Sequence, residues 1–332
     1  MGALISLIAV AVLVLLAAAG AGGGESLRIG LGVILPGIAF AVFLGGIVYR
    51  VVRWAQSPVA FRIPTTCGQA KSLPWIHNNE LEAPSGLPGV IGRMALEVLF
   101  FRSLFRNHRV ELLAHKEKVN YIADKTLWAA AMAFHWAMLI IILRHFRFFI
   151  EPVPVWVAYL QDFDGFFQVG LPVFYITTVL MLAGLAFLLV RRLYDKKVRY
   201  ISLPSDYFAL YLLLGIGLSG FLMRHVEKVD VVQVKAAIAG WASFQMVPPV
   251  GVGLWYFVHV FLVSALLIYF PFSKLLHAPG VFLSPTRNLA NNNRVRRHIN
   301  PWNPDIQGRS YAAWEDEFRD KMKASGYALE KE

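Results

Sequence analysis

The sequence has few charged residues and almost no cysteine. Of its 332 residues, 57% are hydrophobic and 16% are charged, and the mean hydropathy is +0.54. This composition excludes an ordinary soluble domain and is typical of a protein with several membrane-spanning helices. The single cysteine, Cys67, excludes an intrachain disulfide, and we expect it to be a plain thiol in a loop. Acidic residues are scarce as well, 21 against 32 lysines and arginines, which gives a formal net charge of +11.

Six stretches are long and apolar enough to cross a bilayer, which requires about 20 apolar residues. They are Ala3–Gly24, Ile29–Tyr49, Thr126–Leu143, Gly165–Val190, Tyr207–Met223 and a sixth within Ala236–Ser273, where Pro248-Pro249 favours a start near Val250. The first stretch lacks the basic segment that a signal peptide requires, so we expect a retained helix. The predicted fold is an all-α membrane protein with six transmembrane helices.

Lysine and arginine are distributed unevenly over the segments that join these stretches. If the N-terminus is inside, the outer segments contain six basic residues, which leaves 26 of the 32 on the inner side. The six are Arg28, Arg144, Arg147, Arg224, Lys228 and Lys235. Basic residues accumulate on the cytoplasmic side of membrane proteins, so we expect both termini in the cytoplasm and the protein in the cytoplasmic (inner) membrane. This bias accounts for the net charge without a nucleic-acid partner.

Two segments outside the apolar stretches are long. The loop 55–125 begins with a part rich in Pro and Gly and then, over Val90–Arg109, mixes aliphatic and aromatic residues with arginines. This pattern predicts an amphipathic helix that either lies on the inner membrane face or packs on a partner subunit. The tail 278–332 contains a charged helix near Tyr311–Ala324 and is too polar to form its own core. We expect the tail to dock onto a cytoplasmic partner.

Four histidines within the apolar stretches are the most informative residues. His135 and His145 lie on the third stretch, and His259 and His277 lie on the sixth. Ionisable residues inside a membrane mark function by default. Along an α-helix the first two would be about 15 Å apart and the other two about 27 Å apart. The second distance is an upper estimate, because Pro271 should kink the helix.

The two stretches run in opposite directions through the membrane. His135 should therefore lie near the depth of His277, and His145 near the depth of His259. A mean vertical separation of about 20 Å leaves room for two stacked macrocycles, so we interpret the four residues as axial ligands of two bis-histidine haems. A lone intramembrane histidine is more often a hydrogen-bonded core residue, but four at matching depths favour metal ligation. The sequence has no C-x-x-C-H motif, so such a haem would be non-covalent haem b.

Haem propionates are anionic and need compensating positive charge. The candidates are Arg50, Arg53 and Lys274 at the inner level, and Arg144, Arg147 and Arg224 at the outer level. For each of them, anchoring of a helix end at the membrane surface is an equally good explanation.

The string Pro271-Phe-Ser-Lys-Leu-Leu-His277, with His259 upstream, resembles the gamma, cytochrome b subunit of respiratory nitrate reductase. The spacing of Phe134-His135 and His145 is similar to the same family, and the resemblance covers roughly Ile29–Ser284 without the long loop. The extra first stretch, the tail and the loop sequence Ile63-Pro-Thr-Thr-Cys-Gly-Gln-Ala-Lys-Ser-Leu-Pro-Trp-Ile-His77 resemble the membrane cytochrome b of the Hdr-like menaquinol oxidoreductase, the DsrMKJOP complex associated with sulfite reduction.

This resemblance implies two haems b, one held by His135 and His277 and the other by His145 and His259. It also implies a menaquinone site near the outer haem and a cytoplasmic iron-sulfur partner of heterodisulfide-reductase type. The wider complex of that family includes a periplasmic multihaem cytochrome c, a ferredoxin-like subunit and a second quinone-interacting membrane subunit. Electrons would pass from menaquinol inward, although the reverse direction would use the same residues. Polar residues at the level of that quinone site are Arg144, Asp162, Asp164 and Lys235.

On this interpretation residues 1–24 form an extra N-terminal transmembrane helix, residues 29–54 a second one, and residues 126–277 the dihaem helix bundle. The alternative is a haem-free transporter or membrane anchor, although the sequence contains no inverted repeat of the kind that transporters often have. A carrier of metal ions is a third option, and the vertical separation of the histidines counts against one shared site.

Overall fold

A computed structural model of the protein describes residues 1–57, 79–113, 117–165, 174–243, 251–291 and 307–331. Six of its helices are long and apolar enough to cross a membrane, which confirms the predicted fold class. In chain order the elements are α1 (Gly2–Ala21), α2 (Glu25–Ala55, with a π-helical turn at Gly30–Ile34), α3 (Leu87–Phe100), α4 (Arg102–Phe105), β1 (His108–Leu113), β2 (Lys118–Ala123), α5 (Lys125–His145), α6 (Val155–Asp164), α7 (Ile176–Tyr194), α8 (Lys196–Ile201), α9 (Pro204–His225), α10 (Val231–Ala242), α11 (Leu254–Tyr269), α12 (His277–Gly280), α13 (Pro285–Asn288) and α14 (Tyr311–Ala324).

The spanning helices are α1, α2, α5, α7, α9 and α11. Two of them begin later than the sequence predicts: α7 starts at Ile176 instead of Gly165, and α11 starts at Leu254, where Glu227 accepts hydrogen bonds from two backbone N–H groups of the first turn at 2.9 Å each. The short helix α6 occupies part of the sequence before α7. The charged helix predicted near Tyr311–Ala324 is present with those bounds.

The predicted amphipathic helix over Val90–Arg109 is shorter than expected. Helix α3 ends at Phe100, because Phe101 adopts the left-handed conformation with φ 49° and ψ 49°. After α4 the chain forms an antiparallel hairpin of β1 and β2, in which His108 pairs with Ala123 and Leu113 with Lys118. The helical interpretation was therefore wrong beyond Phe105, where polar and apolar residues begin to alternate with the period of a strand.

The spanning helices pack in an open series. Helix α5 packs along α7, α7 on α9, α9 on α11, and α11 on α2, while α1 fills the groove between α9 and α11. Close approach of α5 and α7 depends on Gly184, since a Cβ there would lie 3.0 Å from the Cβ of Phe134. Among the described residues, α5 and α11 share no extended interface, although α5 carries His135 and His145, α11 carries His259, and His277 follows α11.

Contacts at the two ends of the bundle fix the direction of each helix. At one end Asp206, in the first turn of α9, pairs with Arg192 at the end of α7 and with Lys274 after α11. At the other end the cations of Arg144 and Arg224, which close α5 and α9, lie over the ring of Tyr175 just before α7. We refer to these as the Asp206 end and the Tyr175 end. The helices therefore alternate in direction, as six successive spans require.

Candidate functional site: two histidine pairs

The first pair consists of His135 and His277. Their ring centres lie 6.1 Å apart and their planes are 81° from parallel. His135 is near the middle of α5, and His277 is placed toward the Asp206 end by the segment after α11. Two imidazoles on opposite sides of one metal ion have ring centres about 6.5 Å apart, given metal–nitrogen bonds of about 2 Å. The spacing of this pair therefore suits a shared metal.

His277 reaches this position because α11 ends well before it. The α-helix stops at Tyr269, and the chain continues as a 3-10 turn at Phe270–Phe272, an extended Ser273 and a second 3-10 turn at Lys274–Leu276. Pro271 lacks the N–H that would continue the helix. The sequence predicted a kinked helix that continues through Pro271 to His277. In the structure the α-helix ends before Pro271 and His277 lies outside it.

The second pair consists of His145, the last residue of α5, and His259, in the second turn of α11. Both lie nearer the Tyr175 end than the first pair does, since α5 ends and α11 begins there. The matching of depths that the sequence predicts therefore agrees with the directions of the helices.

All four histidines share one hydrogen-bonding pattern: each Nδ1 bonds to a backbone carbonyl. The acceptors are Ala131 for His135 at 2.8 Å, Ile141 for His145 at 2.7 Å, Ile216 for His259 at 3.1 Å and Lys274 for His277 at 2.9 Å. Donation to a carbonyl requires the proton on Nδ1, which leaves the lone pair of Nε2 available for a metal.

Two other histidines that the structure describes differ from these four. His225 packs against both Phe174 and Phe221, at ring-centre distances of 4.7 and 4.5 Å. His108 begins β1 and is exposed. The Nδ1 pattern therefore separates the four predicted ligands from the other described histidines.

A cleft of about 510 Å³ opens beside His277. Its lining includes Arg50 and Trp54 of α2 together with Lys274. The Nε of Arg50 is buried and has no hydrogen-bond partner among the described residues, while its guanidinium lies 5.7 Å from the ring centre of Trp54. An orphaned buried donor beside an imidazole is what an anionic group of a bound cofactor would satisfy. These residues therefore fit a haem carboxylate.

Of the three inner propionate candidates, the structure brings Arg50 and Lys274 to this cleft. Arg53 is exposed and does not line it. Lys274 also donates to Asp206 at 2.8 Å, so part of its charge is already compensated.

At the Tyr175 end Arg144 forms an ion pair with Asp164, whose side chain is 2% exposed. Asp164 also accepts from the backbone N–H of Thr177 at 2.8 Å and from its hydroxyl at 2.5 Å. The Arg144 guanidinium lies 3.4 Å from the ring centre of Tyr175, and that of Arg224 lies 4.0 Å from it. Sequence reasoning missed Tyr175 and Thr177, because neither residue type signals such a cluster on its own.

The remaining quinone candidates lie apart from this cluster. Lys235 pairs with Glu151, and Asp162 is exposed. Arg147, an outer propionate candidate, donates to Gln161. Cys67, His77, His115, His298 and the whole stretch 63–77 on which part of the resemblance depends lie outside the described residues.

The part of the chain that the structure describes contains no group of three or more His, Cys, Asp or Glu side chains that could hold a metal ion. Each histidine pair offers two ligands. Two axial ligands are what a haem iron takes from a protein, since the porphyrin provides the other four nitrogens.

Comparison with known proteins gives consistent matches. The model of the nitrate reductase gamma subunit family matches residues 89–298, which include α5, α7, α9 and α11. A protein of Archaeoglobus fulgidus named Hdr-like menaquinol oxidoreductase cytochrome b-like subunit is 44% identical over 82% of this chain and 83% of its own length. The protein of the same name in Archaeoglobus profundus is 40% identical over 82% of both chains. The nitrate reductase gamma chain of Bacillus subtilis is 24% identical over 63% of this chain and 96% of its own length.

Proposed function

Because the chain belongs to the nitrate reductase gamma subunit family, we propose that it is a dihaem cytochrome b, in which His135 and His277 hold one haem b and His145 and His259 the other. The protein is a multi-pass membrane protein and a redox subunit, not a complete enzyme by itself. The number of haems and their ligands are the new part of this proposal.

The observation that carries the proposal is that all four imidazoles have the same tautomer, with the proton on Nδ1. Each directs its Nδ1 proton to a carbonyl, and each therefore keeps the lone pair of Nε2 available, which is the form that binds iron. A transporter or an anchor without haem would not need four histidines in one tautomer. When bound, haem supplies a one-electron couple between ferric and ferrous iron.

The protein's own residues would determine the positions of the two haems and the polarity of their surroundings. Helix α5, helix α11 and the segment after α11 carry the two pairs toward different ends of the bundle, so electrons would cross the membrane in two steps. Arg50 and Lys274 hold positive charge at the Asp206 end, where carboxylates of the inner haem would lie. Apolar side chains of α9 and α11 exclude water from the surroundings of His259.

Menaquinol is the proposed electron donor, since both Archaeoglobus relatives are named for its oxidation. We place its site at the Tyr175 end near His145, with Arg144 and Asp164 as the polar residues closest to it. Electrons would leave at the Asp206 end to a cytoplasmic iron-sulfur subunit of heterodisulfide-reductase type, within a multi-subunit complex for the reduction of sulfur compounds. The distribution of lysine and arginine supports a cytoplasmic position for the Asp206 end and for both termini.

The test is the haem content of the purified full-length chain. Pyridine haemochrome analysis should give two haems b for each polypeptide, and a reduced-minus-oxidised spectrum should show low-spin b-type bands. A colourless preparation from haem-replete cells would exclude the proposal and favour a transporter or an anchor. Menaquinol analogues should reduce the bound haem in the complex.

A further inference from the structure

The end of helix α3 is attached to α5 by two tryptophans. The indole N–H of Trp128 donates to the carbonyl of Phe100 at 2.8 Å, and that of Trp136 donates to the carbonyl of Leu99 at 3.0 Å. Carbonyls in the last turn of a helix have no intrahelical partner, so these indoles satisfy groups that would otherwise need water. The two tryptophans lie on either side of His135 in the sequence of α5.

Phe101, the residue after α3, is held in a left-handed conformation with φ 49°. This conformation is unfavourable for a residue with a Cβ, and such residues persist where the surroundings require them. The ring of Phe101 lies 5.0 Å from that of His135, edge to face at 88°. His135 thus meets Phe101, Phe134 at 4.7 Å and His277 at 6.1 Å.

The segment α3–α4 reaches into the protein to the level of the first histidine pair. Trp136, which binds Leu99, is the next residue after His135 on α5. Beyond Phe101 the chain turns back: the ring of Phe105 lies 5.0 Å from that of Trp128, and Lys125 at the start of α5 donates to the carbonyl of Phe105. Irregular backbone at membrane depth needs partners for its polar groups, and the two indoles and Lys125 provide them for the carbonyls of Leu99, Phe100 and Phe105. Helix α3 therefore does not simply lie on the membrane face.

Hydrogen bonds and an ion pair within the residues around Phe101 also stabilise the turn. The buried Glu97 of α3 accepts from the backbone N–H of Ser103 at 3.1 Å and from its hydroxyl at 2.5 Å. Arg102 pairs with Glu82 at 2.6 Å. The turn is thus fixed at both of its ends, which keeps the Phe101 ring against His135.

We propose that Phe101 is a positioning residue for His135, and that the re-entrant segment α3–α4 seals the His135–His277 pair against water. This inference rests on the proposed function, because its consequence is the electronic state of the inner haem. The ring edge restricts rotation of the His135 imidazole. Exclusion of water disfavours the more charged ferric state, so the seal should raise the reduction potential of that haem.

The decisive variant is Phe101→Gly, because glycine adopts a positive φ without strain and only the ring is lost. Phe105→Ala is the matched control, since it removes a ring of the same segment that contacts Trp128 and not His135. Trp136→Phe removes one indole N–H while keeping an aromatic ring. The measurements are redox titration of both haems in the full-length protein and the low-spin electron paramagnetic resonance signals of the ferric state.

In Phe101→Gly we expect the equilibrium constant for reduction of the inner haem to fall about threefold or more. For one electron this lowers the reduction potential by about 30 mV. The low-spin electron paramagnetic resonance signal of that haem should shift as well. The outer haem and the Phe105→Ala protein should be unchanged, and Trp136→Phe should shift the inner haem in the same direction. Equal shifts of both haems, or unchanged potentials and signals in Phe101→Gly, would overturn this inference while the dihaem function stands. A wild-type protein without two haems would overturn the proposed function itself.

Discussion

The imidazole rings of His135 and His277 lie 6.1 Å apart, centre to centre, although one belongs to the middle of a spanning helix and the other follows a helix break. Helix α5, which carries His135, and helix α11, which precedes His277, do not pack against each other over an extended interface within the described residues. The proximity of these two rings is therefore set by the segment after Tyr269.

Removal of one histidine at a time should abolish one haem and leave the other in place. His277→Ala should abolish the inner haem and keep the outer one, whereas His145→Ala should do the opposite. Each variant should therefore contain one haem per chain by pyridine haemochrome analysis, with one of two redox transitions lost. His225→Ala is the control and should keep both haems, because that ring packs against two phenylalanines and belongs to neither pair. If removal of His135 abolished the haem assigned to His145 and His259, the pairing would be refuted.

Gly46 of α2 controls the position of the break before His277. A Cβ at this residue would lie 2.6 Å from the Cβ of Pro271, so Gly46→Ala must displace the 3-10 turn. Overpacking of this kind costs about 1–3 kcal/mol. We expect weaker retention of the inner haem during purification and an unchanged outer haem.

Gly45→Ala is the matched control for this variant, since a Cβ at Gly45 meets nothing within 4 Å. Haem content after detergent extraction, measured for both alanine variants, provides the comparison. Equal haem content in the two proteins would show that the contact between Gly46 and Pro271 does not position His277.

Much of this fold follows from the sequence because hydrophobic length is a strong signal in membranes. The six spans and the tail helix follow from apolar runs and from periodicity. The hairpin of β1 and β2 was missed because it is short and follows the helical pattern of α3, so the change of period spans few residues. The left-handed Phe101 carries no sequence signal, since glycine or asparagine would be expected at such a position.

The candidate site was predictable in part, for a similar reason. The four histidines stand out because they interrupt apolar stretches, and opposite helix directions fix their relative depths. The companions of these histidines depend on packing between helices that are distant in sequence. Neither Ser219, which lies 3.1 Å from the Nδ1 of His259, nor Tyr175 between two arginines could be selected without the fold.

Arg50 and Arg53 provide a test of the role of the cleft, since the sequence predicts both as partners of a haem propionate at the inner level. Arg50 lines the cleft beside His277, and its buried Nε has no hydrogen-bond partner within the part of the chain that the structure describes, whereas Arg53 is exposed outside the cleft. A unit charge about 10 Å from another contributes about 1–2 kcal/mol at an effective dielectric constant near 20. Arg50→Gln should therefore lower the potential of the inner haem, because loss of a cation favours the ferric state.

Redox titration of the Arg50→Gln and Arg53→Gln proteins measures this difference. The Arg53→Gln protein should titrate like the wild type, and the outer haem should be unaffected in both variants. Similar shifts in the two proteins would indicate a general surface-charge effect, and the cleft would then have no special role.

The ion pair between Arg144 and Asp164 should stabilise the Tyr175 end of the bundle. Their side chains are 12% and 2% exposed, and removal of one member of a buried pair typically costs about 3–5 kcal/mol, because the other charge is left uncompensated. Asp164→Asn can keep its hydrogen bonds with Thr177 but leaves Arg144 unpaired. We expect a lower midpoint of thermal unfolding in detergent and partial loss of the outer haem, since Arg144 precedes His145.

A double-mutant cycle with Arg144→Gln distinguishes the ion pair from a general loss of packing. If the two charges compensate each other, Asp164→Asn with Arg144→Gln should be less destabilised than the sum of the single variants. Glu151→Gln provides the comparison for an exposed pair, because the Glu151 side chain that meets Lys235 is 73% exposed. Its cost should be at most about 1 kcal/mol. Additive effects in the cycle would mean that Arg144 and Asp164 act independently, and Arg144 would then be free to interact with a quinol or a propionate at this end.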